Sequence, residues 1–67
     1  MITYAPLWET LKKKQISTYT LINEYHFSKG TLDSLKHNRN INTHTINTLC
    51  NILDCDITDI IQYTKEE

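Results

Sequence analysis

Apolar residues along this chain recur at helical spacing. Leu7, Trp8 and Leu11 form one set; Leu21, Ile22 and Tyr25 a second; Leu32 and Leu35 a third. Ile46, Leu49, Cys50 and Leu53 form a fourth, and Ile57, Ile60 and Ile61 a fifth. Within each set the residues fall at i, i+3, i+4 or i+7, the positions that share one face of a 3.6-residue period. No stretch alternates apolar and polar over the length of a strand, so the pattern predicts an all-α fold.

The helix starts are marked by a repeated signal. A good cap residue (Ser, Asn or Asp) follows an apolar residue that staples to another five positions on. Ile16-Ser17 pairs in this way with Leu21, Phe27-Ser28 with Leu32, Ile41-Asn42 with Ile46, and Cys55-Asp56 with Ile60. Asp59, three residues after Asp56, adds a capping-box spacing. Pro6 suits the first helical position, where its missing N–H is no loss. The predicted helices span roughly 6–14, 18–25, 29–37, 43–53 and 57–63. The short gap between the second and third forces a steep crossing, as in a helix-turn-helix. A glycine is expected in such a turn, where φ becomes positive. The only glycine is Gly30, already past the turn, and His26 holds the expected place, so His26 should be left-handed. Tyr25 and Phe27, on either side of it, are assigned to the core.

Composition narrows the function. A chain of 67 residues makes one domain, assigned here to residues 1–67, and one this small buries only about 60% of its unfolded surface. That leaves little room for an enzyme cleft. No Ser/His/Asp order, paired carboxylates or phosphate-cradling glycine loop is present, so neither catalysis nor a cofactor is expected. Apolar runs of two or three residues exclude a membrane span, and no signal peptide opens the chain, so a cytoplasmic location is expected. Cys50 and Cys55 sit at apolar positions and are assigned as small hydrophobes in a reducing compartment. Their spacing to His26, His37 and His44 matches no zinc pattern, so no metal is expected.

Net charge is only −1, but it is unevenly spread. Residues 1–42 hold six Lys/Arg against three Asp/Glu and residues 43–67 hold one against five, so a +3 segment precedes a −4 segment. A local positive face is therefore available to a polyanion despite the neutral total.

With five short helices and the tail "TLCNILDCDITDII" in view, the chain resembles the Cro and phage-repressor-like (XRE) helix-turn-helix family over nearly its whole length. The opening "APLWETL" and the "LDCDITDI" segment resemble a compact subgroup of standalone regulators. The resemblance implies a five-helix lambda-repressor-like domain. It also implies sequence-specific binding of double-stranded DNA as a small transcriptional regulator, in the first instance a repressor, with helix 29–37 in the major groove. Three positions depart from the family pattern: His26 replaces the turn glycine, Ile22 the small residue one turn earlier, and Thr18 the glutamine that opens the second helix.

By the same resemblance, Lys29, Gly30 and Ser34 are the base-reading candidates, since N-terminal positions of a recognition helix reach base edges first. Asp33 would repel phosphate unless it accepts from a cytosine amino group or pairs with Lys29 or Lys36. Phosphate contacts are expected from Thr18, Thr31 and Lys36, from Asn38, Arg39 and Asn40 in the following loop, and from Asn42 and Thr43 at the start of the fourth helix. A homodimer through the C-terminal helix, with Ile61 and Tyr63, would fit two-fold sites; Trp8 is a further candidate for that contact. No small-molecule ligand is expected. The competing reading is a protein-binding module, such as an antirepressor or antitoxin, on the same fold.

Overall fold

The computed structural model describes residues 1–66. Its elements are β1 (Ile2–Thr3), α1 (Ala5–Lys14), α2 (Thr18–Asn23), α3 (Lys29–Lys36), α4 (Thr43–Leu53), a 3₁₀ turn (Ile57–Asp59) and β2 (Gln62–Tyr63). Each of the four predicted caps is made. Ser17 accepts from the Thr20 N–H, Ser28 from Thr31, Asn42 from Thr45 and Asp56 from Ile57. The Asp56 N–H also donates to Asp59 Oδ2 at 3.1 Å, completing the capping box. Pro6 lies in the first turn of α1, as its lack of an N–H allows.

Two expectations are corrected. The fifth predicted helix, 57–63, is a single 3₁₀ turn followed by a strand. β2 pairs antiparallel with β1, Ile2 opposite Tyr63 and Thr3 opposite Gln62, and the Thr64 N–H donates to the Met1 carbonyl at 2.8 Å. This pairing supplies the backbone partners that another helical turn would have supplied. Thr10 holds the turn in place by donating its hydroxyl to the Asp59 carbonyl at 2.7 Å. Two-residue strands are too short to show alternation, which is why the all-α reading missed them. Second, α2 stops at Asn23, short of the predicted 25, and leaves Tyr25 exposed rather than in the core.

Tyr4, Leu7, Leu11, Leu21, Leu32, Leu35, Leu49, Leu53 and Ile60 form the buried core. Trp8, Ile22, Phe27 and Ile61 pack half-buried against it. Cys50 and Cys55 do so as free thiols. Burial first, then the neighbouring Cys50 and Asp59, push the Cys55 thiol above its ordinary pKa, which keeps it neutral and suits the small-hydrophobe assignment.

Each α-helix is followed within three residues by a left-handed residue, and none of these residues is glycine: Gln15 (φ 57°) and Asp54 (φ 50°) cap α1 and α4 directly, while His26 (φ 60°) and Asn38 (φ 55°) lie just past the ends of α2 and α3. After α2, the Phe27 N–H returns to the Leu21 carbonyl at 3.0 Å, closing the turn over His26. A left-handed L-residue costs about 1 kcal/mol, least for Asn and Asp. His26→Gly should relieve that strain at the cost of a more flexible unfolded chain, for a small net gain. We expect its Tm to rise by roughly 2 °C in a thermal melt. A fall would mean that the imidazole itself holds the turn.

Candidate nucleic-acid interface

The surface that the sequence singled out is built around α3. Leu32 and Leu35 are buried on its inner side. Lys29, Gly30, Asp33, Lys36 and His37 are exposed, and Ser34 is partly so. Phe27 anchors the entry against the core. Ser28 fixes the first turn, accepting from the Thr31 N–H at 3.0 Å and sharing a hydrogen bond with its hydroxyl at 2.8 Å.

An open cleft runs along each flank of α3. On one flank Thr18 and Ile22 of α2 meet Lys29, Leu32, Asp33 and Lys36 around a space of about 270 Å³. On the other, Ser28, Gly30, Thr31 and Ser34 face Asn40, Ile41, Asn42 and Thr45 around about 490 Å³. The candidates are therefore sorted by the fold. Thr18, Lys29 and Lys36 share one side. Gly30, Ser34, Thr31, Asn40 and Asn42 share the other, with Thr43 at the start of α4 beside them. Lys29, expected to read bases with Gly30 and Ser34, lies on the flank of Thr18 and Lys36.

Asn42 is already occupied as a cap: its Oδ1 accepts from the Thr45 N–H at 2.9 Å and the Thr45 hydroxyl at 3.1 Å. Asn38 is occupied too, its Oδ1 accepting from the Tyr4 N–H at 3.0 Å. What both retain for a phosphate is the Nδ2 amide. The first-turn N–H groups of α3 and α4 not taken by these caps lack intrahelical partners and suit an anion.

Gly30 has no conformational reason to be glycine. Its φ is not positive, and an added Cβ would meet only Ser28 Oγ, at an ordinary 3.8 Å. A glycine in the middle of a helix costs about 0.5–1 kcal/mol relative to alanine; at the second position of α3 the loss is at the low end of that, but the fold does not require it.

Three features escaped the sequence reading. Tyr4 is buried, and its hydroxyl donates to the Arg39 carbonyl at 2.6 Å, tying β1 to the loop after α3. Asp33 pairs with neither Lys29 nor Lys36. Its Oδ2 accepts from Arg39 Nη1 at 2.6 Å, and His37 Nδ1 lies 3.2 Å from its Oδ1. The Asp33–His37 spacing of four was a usable signal. The Asp33–Arg39 spacing of six was not, since it depends on chain reversal at Asn38. Finally, Tyr25, His26 and Phe27 line a smaller cleft of about 230 Å³ with Thr31, His44, Thr45 and Thr48, which adjoins the Gly30 flank through Thr31 and Thr45.

The family model of the Cro/C1-type HTH DNA-binding domain matches residues 6–66. Among solved structures, the crystal structure of the transcriptional regulator VanUg, Form II, superposes with a TM-score of 0.86 at 29% identity, covering 97% of this chain and 87% of that one. No curated protein matches the chain.

Proposed function

The chain belongs to the Cro/C1-type helix-turn-helix DNA-binding family, and from that premise we propose that it binds double-stranded DNA sequence-specifically as a small transcriptional repressor, with α3 in the major groove. The supporting observation is the two-sided arrangement around α3. A groove about 12 Å wide admits one helix and places a phosphate backbone on either side of it. α3 offers an exposed polar ridge with donors along both edges: Thr18, Lys29 and Lys36 on one, Thr31, Asn40, Asn42 and Thr43 on the other. Asn38, Lys36 and Arg39 extend the cationic and amide surface past its end. Gly30 and Ser34 then lie nearest the base edges, with Lys29 beside them on the phosphate edge, and the missing side chain at Gly30 lets the backbone approach the bases. That VanUg is a transcriptional regulator agrees with this assignment.

Half-sites call for two copies. The predicted C-terminal helix is absent, so a two-fold contact would use the terminal ribbon, where Tyr63 is 67% exposed opposite the 45% exposed Ile2, with half-buried Ile61 behind it.

Gly30→Ala tests the reading, because binding should fall while stability does not. The variant should hold or gain up to about 0.5 kcal/mol in a urea melt yet bind labelled duplex DNA several-fold more weakly. Wild-type binding should weaken steeply as salt is raised. If Gly30→Ala binds as well as wild type, α3 does not approach the groove here. If no genomic duplex is bound at any salt, the protein-docking alternative takes over.

A further inference from the structure

We propose that Asp33 is a positioning residue that holds Arg39 as a guanine-reading side chain; this rests on the DNA-binding role above. Arg39 follows the recognition helix and would ordinarily be counted as a loose phosphate contact, but its main chain is fixed at both polar groups. The N–H donates to the Ser34 carbonyl at 2.8 Å, and the carbonyl accepts from the Tyr4 hydroxyl at 2.6 Å. Asn38, left-handed at φ 55° and clamped by the Tyr4 N–H, turns the chain back toward α3. The guanidinium therefore lies over the outer face of α3, not out in the loop, and reaches Asp33 Oδ2 at 2.6 Å.

The carboxylate is itself constrained. One oxygen takes Arg39, while the other faces His37 Nδ1, which also lies 2.9 Å from the Asp33 carbonyl oxygen. Only one guanidinium nitrogen is used, so the remaining N–H groups of the fork stay available. A fork held in one orientation matches guanine O6 and N7 with little further loss of side-chain freedom. An ion pair this exposed (59% and 51%) adds little to folding. A negative charge on a groove-facing helix is unfavourable for DNA binding unless it contributes to recognition. Orienting Arg39 supplies that contribution.

The test is selection of sites from a random-sequence duplex pool by wild type, Asp33→Asn, Arg39→Ala and Arg39→Lys, with thermal melts as the fold control. Wild type should select guanine at a fixed position of the half-site. Asp33→Asn should lose that preference by about tenfold or more, while its affinity for a non-specific duplex stays level or rises as a negative charge is removed. Arg39→Lys, which keeps the charge without the fork, should lose the guanine preference as Arg39→Ala does. An unchanged guanine preference in Asp33→Asn overturns the proposal. So does a uniform loss of affinity across all sequences in Arg39→Ala. In both cases, selection by wild type keeps the DNA-binding role intact. Wild type that selects nothing and shows no salt-sensitive binding removes the role and the proposal together.

Discussion

Replacing Tyr4 with alanine is expected to remove most of the protein's stability. A domain of this size is held by about 3–10 kcal/mol in total. Truncating a buried aromatic side chain to alanine costs about 3–5 kcal/mol, and Tyr4 is only 4% exposed. The residue also bridges distant parts of the chain. Its N–H and hydroxyl bind Asn38 and Arg39, 34 and 35 residues away. Tyr4→Phe separates the two roles. It keeps the ring and removes only the hydroxyl bond, leaving the Arg39 carbonyl without its donor, for a loss of about 1–2 kcal/mol. Urea unfolding followed by circular dichroism reads both values. A Tyr4→Ala protein that unfolds near the wild-type midpoint would show that the N-terminal ribbon is only an appendage. A Tyr4→Phe protein equal to wild type would place all the contribution in the ring.

Tyr4 also marks the limit of what the sequence reveals about this fold. Helix starts were legible because their chemistry is local: a cap and its staple lie within six residues, and Ser17, Ser28, Asn42 and Asp56 each make the bond their position implied. The Asp56–Asp59 box was equally legible. How far the element then runs was not, because Gln62 and Tyr63 are taken by Ile2 and Thr3 from the other end of the chain. His26 illustrates another limit. Its left-handed conformation followed from the motif, but Gln15, Asn38 and Asp54 share it, so the turn is no special point of strain. At the interface, outward positions on α3 could be counted from its period, yet their partners could not. The Asp33–Arg39 pair needs the reversal at Asn38, and that reversal needs Tyr4. The acidic residue that looked unfavourable for DNA binding is thus the one most tightly tied to the proposed recognition surface.

Reversing both lysines on one edge of α3, Lys29→Glu with Lys36→Glu, is expected to reduce DNA affinity by roughly a hundredfold or more at low salt. Each cation that leaves a phosphate lowers the slope of log affinity against log salt by about 0.9, and each glutamate adds repulsion. The slope should therefore fall by about two, with the largest loss at the lowest salt. Folding should be little affected: both side chains are exposed, and among the described residues neither makes an ion pair. Net charge alone would also predict weaker binding, since the double change takes the protein from −1 to −5. The control is Lys12→Glu with Lys13→Glu, which makes the same change in total charge on the exposed last turn of α1. Reversing charge at a helix C-terminus has its own stability cost of about 0.3–1 kcal/mol per residue, so thermal melts must accompany the titrations. If the α3 edge contacts phosphate, the first pair loses far more affinity and slope than the second. Equal losses would mean that the protein's overall field, and not this edge, holds the DNA.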